Sequence, residues 1–343
     1  MAGRNPNKKI LIVGPSWVGD MVMAQSLFIA LKQQDPAVII DVLAMDWTRP
    51  LLQRMPEVNN AISMPISHGI FAWKMRGELG LSLRDKHYDQ AIVLPNSWKS
   101  ALIPWFAKIP VRTGWRGEYR YGLLNDARKL DKKALPMMVQ RFVALAHPAS
   151  QSQIKPTYQA PLMIGEPPNE VINPKRQSVQ QKRLILCPGA EFGPAKQWPT
   201  SHYAALADSF LTSGWQVLIL GSKADISTAD EIVSLCRDKS DNLISLAGQT
   251  QLEEAIDLLG TADYVVSNDS GLMHIAAALQ VPLVVVYGPT SPAFTPPLAN
   301  NANIIQIDID CSPCFKRTCP LGHHNCMKQL SVESVIEQIK TTK

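Results

Sequence analysis

The residues best placed to do chemistry are Asn268-Asp269-Ser270-Gly271-Leu272-Met273-His274. They lie between an apolar run at 264–267 and another at 275–279, which predicts a strand running through a polar turn into a helix. Such a junction aims backbone N–H groups and the positive end of a helix dipole at one point, an arrangement suited to a phosphate. Asp269 ends the strand, and Ser270 with Gly271 forms the turn. His274 sits one turn into the helix, where it either faces the same anion or is a hydrogen-bonded core histidine.

A second such stretch is Cys187-Pro188-Gly189-Ala190-Glu191-Phe192-Gly193-Pro194-Ala195-Lys196-Gln197-Trp198-Pro199. It reads as a strand end, a Gly/Pro loop with one lysine, and a helix start near Pro199. Gly189 and Gly193 would let backbone approach a ligand closely. Lys196 would neutralise a departing diphosphate, the alternative being an ordinary surface lysine.

A third is Gly14-Pro15-Ser16-Trp17-Val18-Gly19-Asp20, which follows the first apolar run. The glycine spacing is not the dinucleotide fingerprint. It starts like a phosphate-binding G-x4-G loop, but Asp20 and Met21 stand where that motif has Lys and Ser or Thr. A carboxylate there repels phosphate. It can act as a general base, or only stabilise the helix start.

Two further clusters stay open on their residues alone. Cys311, Cys314, Cys319 and Cys326, with His323 and His324 between them, could wrap a structural zinc ion, though the spacing is not the usual paired CxxC and a thiol cluster or partial disulfide fits as well. Lys108, Arg112, Arg116, Arg120, Arg128, Lys129, Lys132 and Lys133 are interleaved with Trp115, Tyr119 and Tyr121. That mixture suits nucleic-acid stacking, or sugar rings on aromatic faces with arginines gripping phosphates. No nucleic-acid module is present to support the first option.

The elements that must position these residues come in two similar sets. Strands are predicted at 10–14, 38–45, 61–65 and 91–95, with helices at 18–33, 48–54 and 97–107 between and after them. Residues 148–182, rich in Pro, Gln, Ser and Asn, break the pattern and read as a linker. Strands then follow at 184–187, 216–221, 243–246, 264–267 and 283–287, alternating with helices at 201–213, 226–237, 252–259 and 271–279, and a last helix at 332–339. Alternation of this kind predicts parallel sheets covered by helices. The expected architecture is α/β, two doubly wound Rossmann-like domains facing a cleft. The domains are placed at 1–165, with the linker starting near 148, and 166–343; the last helix could return to pack on the first domain.

The charge is divided unevenly. Residues 1–165 hold 21 Lys+Arg against 11 Asp+Glu, whereas the remainder holds 13 against 18. A basic first half suits an anionic partner or a generically basic surface. No apolar run reaches membrane-spanning length, and the short run before Pro15 reads as a strand, not a signal peptide. A cytoplasmic protein with reduced cysteines is expected.

Five separated segments, GPSWVGDMVMAQSL, CPGAEFGPAKQWP, LAGQT, SNDSGLMHIAAAL and CSPCFKRTCPLGHHNCM, occur in an order that resembles the GT-B glycosyltransferases. More narrowly they resemble the ADP-heptose–lipopolysaccharide heptosyltransferases of family nine, in the branch that adds the second heptose (heptosyltransferase II). The likeness runs over essentially the whole chain. It implies inverting, metal-independent transfer of heptose from ADP-heptose to a heptosylated Kdo2-lipid A acceptor, with no cofactor and no nucleic acid. Loose peripheral association with the inner face of the inner membrane is implied too, and residues 68–73 could touch lipid or form a lid. By the resemblance Asp20 is the base and Lys196 the lysine on the donor diphosphate. Gly19, Gly189, Asp269, Ser270, Gly271 and His274 would line the donor, and Leu246, Gly248 and Thr250 its adenosine end. Arg112, Arg116 and Arg120 would hold the acceptor. Glu191-Phe192 and Lys223 replace the hydroxyl residues and the acid of the sister enzyme that adds the first heptose. That sister, or another family-nine enzyme, is the nearest alternative. A non-catalytic nucleotide-sugar-binding protein is a distant one.

Overall fold

Several strands are short apolar segments whose side chains are buried over their whole length, as in β11, LVVVY. Both faces of a parallel sheet are covered, so such strands read as unbroken apolar runs. The computed structural model describes residues 7–66, 69–170 and 172–341. The chain divides into two compact units, one ending at Pro161 and the other beginning at Leu162.

In the first unit β1 (Lys9–Val13), β2 (Ile39–Ala44), β3 (Asn60–Ser63), β4 (Gln90–Val93), β5 (Val111–Trp115) and β6 (Asp126–Arg128) form one parallel sheet in the order β3-β2-β1-β4-β5-β6. In the second, β7 (Arg183–Cys187), β8 (Gln216–Ile219), β9 (Leu243–Ser245), β10 (Tyr264–Asn268), β11 (Leu283–Tyr287) and β12 (Ala302–Gln306) pair in the order β12-β11-β10-β7-β8-β9. Both are the doubly wound order, so each sheet has one switch point, between β1 and β4 and between β7 and β10. Ligands of such sheets bind outside the carboxyl ends of the strands at that point. The three stretches singled out in the sequence follow β1, β7 and β10.

The helix Val18–Gln34 shows how the first unit is built. All residues from Met21 to Leu31 are buried. A helix buried on every side must lie inside a domain, and this one packs against the helix Met138–Val143. It stops at Asp35, which has an extended backbone and is followed by Pro36. In the second unit Leu184, Leu186, Tyr203, Phe210, Val217, Ile219, Val266 and Val284 belong to one core. Val335 and Ile339 of the last helix, Val332–Thr341, join that core.

The presumed linker is shared between the units. Ser26 donates to the Gln159 carbonyl (2.7 Å) and the Asp131 amide to Gln153 (2.9 Å), which straps the early part to the first unit. Met163 bonds to the Ala278 carbonyl, the Glu166 amide donates to Asp257, and Arg183 donates to Asn173 and the Pro174 carbonyl. The later part therefore belongs to the second unit, which begins at Leu162.

Candidate active site

Asp20 sits in the first turn of the helix after β1. The N-cap of that helix is Trp17, so Asp20 is not the capping residue. It is half-buried and lines a cavity of about 680 Å³ formed within the first unit. Gly14, Pro15, Ser16 and Trp17 after β1 face Leu94 to Ser100 after β4 across it, so the cavity opens at the switch point of the sheet. Phe71 and Trp98 also line it, their rings stacked at 5.8 Å and 17°, with Trp73 stacked on both. Arg76, another lining residue, is buried and donates to the carbonyls of Phe71 (2.7 Å), Ile70 (3.3 Å) and Lys99 (3.3 Å). It fixes the aromatic wall, and its burial pulls its pKa below the usual arginine value. Gly19 lies in the same helical turn as Asp20 but does not line the cavity. His68 of the 68–73 segment lies outside the described residues, whereas Ile70, Phe71 and Trp73 are exposed.

Two of the three arginines expected to hold the acceptor are engaged with groups inside the first unit. Arg120 is only 2% exposed and donates to the carbonyls of Pro95 (2.6 Å) and Trp115, and to Ser100 and Asn96. Burial pushes its pKa down to about 10. It braces the loop after β4 that lines the cavity. Arg112 donates to the carbonyls of Leu123 and Ile109, both at 2.6 Å. Arg116 is exposed. None of the three lines the cavity. Charge density in the sequence could not reveal that these guanidinium groups satisfy buried carbonyls.

In the second unit the structure brings the loop after β7 to the turn after β10. Lys196 Nζ donates to Asp269 Oδ2 at 2.6 Å and to the Asp269 carbonyl at 3.2 Å. Thr290, after β11, donates to the same Oδ2 at 2.6 Å. Asn268 locks the assembly from below. Its Oδ1 accepts from the Trp198 amide (3.1 Å) and the Tyr203 hydroxyl (3.0 Å), while its Nδ2 donates to the Pro188 carbonyl (2.6 Å). Ser270 is the N-cap of the helix Gly271–Ala278, accepting from Met273 at 3.4 Å. The first amides of that helix have no partner within it and carry its dipole end.

His274 is buried in this helix, and desolvation pushes its pKa down to about 4. It stands beside Lys196 and Asp269 as a neutral ring. Gly189 has a structural reason to be glycine, because a Cβ there would lie 2.6 Å from the Asp225 carboxylate. Leu246, Gly248 and Thr250 follow β9 on the same edge of the sheet. Gly248 has φ +71, and its amide donates to the Gly221 carbonyl at 2.9 Å.

Four contributors went unnoticed in the sequence: Asn268 as a lock, Thr290, Phe192 and Arg317. Lys196 Nζ lies 5.0 Å from the Phe192 ring centroid and the Arg317 guanidinium 5.5 Å from the same centroid. Only Asn268 carried a signal, being a polar residue at the end of an apolar strand. The four cysteines of the tail are thiols that line one small cavity of about 20 Å³. Among the described residues no three His, Cys, Asp or Glu side chains are grouped to hold a metal ion.

A family model, glycosyltransferase family 9 (heptosyltransferase), matches residues 76–325. The chain belongs to glycosyltransferase family 9. Similarity to individual members of this family extends beyond the matched span. The chain is 49% identical over 338 residues to lipopolysaccharide heptosyltransferase 2 of Salmonella typhimurium, covering 96% of this chain and 97% of that one. It is 50% identical over 347 residues to lipooligosaccharide heptosyltransferase 2 of Haemophilus ducreyi, covering 96% and 98%. The solved structure of the Escherichia coli ADP-heptose LPS heptosyltransferase II superposes with a TM-score of 0.83 at 45% identity, covering 97% of this chain and 98% of that one. The protein is thus a family 9 glycosyltransferase enzyme with two Rossmann-like parallel-sheet domains of the GT-B kind.

Proposed function

We propose that this enzyme transfers L-glycero-D-manno-heptose from ADP-heptose to the first heptose of the lipopolysaccharide inner core, with inversion and without a metal ion. The observation that carries the substrate assignment is near-half identity, over almost the entire chain, to enzymes named heptosyltransferase 2. The site chemistry supports it. Asp20 lines a cavity in the basic unit whose aromatic wall suits a sugar ring. Lys196 and the amides at Ser270-Gly271 form an anion site in the other unit.

In this reading the first unit takes the acceptor and the second holds the nucleotide sugar. Asp20 removes the proton from the acceptor 3-hydroxyl as its oxygen bonds to the anomeric carbon. The bond from that carbon to the diphosphate oxygen breaks on the opposite face, and Lys196 with the helix amides meets the charge that develops. Inversion needs one base and one stabilised leaving group, by analogy with inverting glycosidases. ADP release measured with heptosylated Kdo2-lipid A, with Kdo2-lipid A and without acceptor tests the assignment. Only the first should support turnover, and release that ignores the acceptor would sink it. Asp20→Asn should lower turnover about 10²–10⁴-fold with ADP affinity unchanged, and EDTA should leave turnover unaltered.

A cytoplasmic location with peripheral attachment to the membrane face is part of the same reading. Among the described residues no helix is long and apolar enough to cross a membrane. Ile70, Phe71, Trp73, Met75 and Trp105 are exposed on the basic unit. Salt-sensitive co-sedimentation with anionic vesicles would support the attachment, and its absence at low salt would count against it.

A further inference from the structure

We infer that Arg317, carried by the cysteine-rich tail segment, is a second cation of the nucleotide diphosphate site. The inference rests on the donor assignment above and extends it. Lys196 is already matched by a carboxylate, since its ammonium group lies 2.6 Å from Asp269 Oδ2 with both side chains largely buried. His274 beside them is neutral. The pair and the ring together bring no net charge to a diphosphate, which leaves the helix end at Ser270 as the positive feature of the turn.

The tail supplies what the pair lacks. The Arg317 guanidinium packs on Phe192, the same ring that Lys196 packs on, and Arg317 is exposed. Its backbone is clipped to the lysine loop at several points. The Ala195 amide donates to the Arg317 carbonyl at 3.0 Å. Gly193, with φ +153, passes so close that a Cβ would sit 2.5 Å from that carbonyl oxygen. His324 Nε2 lies 2.7 Å from the Ala195 carbonyl, which can only accept. The segment is therefore tied to the lysine loop at Arg317 itself and again at His324, and it presents a planar donor fork suited to phosphate oxygens. This also gives a task to a motif that the transfer chemistry otherwise leaves unused.

Calorimetric titration of the full-length enzyme with ADP, AMP and adenosine tests the assignment. Arg317→Ala should weaken ADP about tenfold, weaken AMP less and leave adenosine unchanged, and Arg317→Lys should recover part of the loss. ADP affinity of the parent enzyme should also fall more steeply with sodium chloride than that of Arg317→Ala. Unchanged ADP affinity in Arg317→Ala would overturn the inference and leave the donor assignment standing. Equal weakening of adenosine would also overturn it, because the tail would then be acting through the shape of the loop. A parent enzyme that binds no ADP would overturn both.

Discussion

Asp269 is held by two side chains, Lys196 and Thr290, both on Oδ2. Removing one partner of a buried ion pair strands the other, at a cost of about 3 kcal/mol. Lys196→Met should therefore lose stability in urea as well as ADP affinity. The double variant Lys196→Met/Asp269→Asn should regain the stability and not the affinity. A single variant that unfolds and binds like the parent would show that the pair does neither. His274 gives a pH signature. Its folded value of about 4 lies below the value of about 6.5 in an unfolded chain, so acid protonates the unfolded chain first. Its contribution is complete above about pH 6.5 and is lost as pH falls to about 4, on the order of 3 kcal/mol. His274→Asn should flatten that part of the stability profile, and an unchanged slope would refute it. The positions of Asp20, Lys196 and Asp269 in the segments after β1, β7 and β10 were legible because each follows an apolar strand. Thr290 and Arg317 were not, since their partners lie 21 residues away for Thr290 and in another loop altogether for Arg317. Arg120 misled for a related reason: its carbonyl partners make no pattern in sequence.

At the level of elements, Gly193 is the most exacting position in the lysine loop. An alanine there must hold φ near +153 and push its Cβ into the Arg317 carbonyl. Gly193→Ala should cost about 1–3 kcal/mol and lower ADP affinity, read by thermal unfolding and calorimetry. Parent-like values in both would show that the loop adapts freely. The central strands were readable because burial on both faces leaves long apolar runs, as in β1, β4, β10 and β11. The unforeseen elements lack that mark. β6 is three residues, Asp126–Arg128, at an edge, and β12 alternates between half-buried and exposed positions. The helix Trp73–Ser82 buries only Arg76 and Gly80, so no apolar stripe announces it. The stretch at 148–182 reads as loose from composition, yet side-chain hydrogen bonds from distant residues pin it.

Across the whole molecule the same strand order occurs twice. Each sheet has its own switch point, and in the proposed reading each serves a different substrate. The chain passes from one unit to the other at Pro161-Leu162, and residues 164–167 just beyond are exposed and without regular structure. A broad-specificity protease should cut first within 164–170, giving two fragments that match the units. A first cut inside either sheet would contradict that partition. The ties from Ala195 to Arg317 and His324 have a practical corollary. The strap they anchor bears Cys311, Cys314, Cys319 and Cys326, none of them bridged. Air-aged enzyme is expected to bleed nucleotide affinity while every catalytic side chain stays chemically intact, and fresh dithiothreitol should bring it back. Handling the purified protein without reductant would then mimic a competitive inhibitor that is not there.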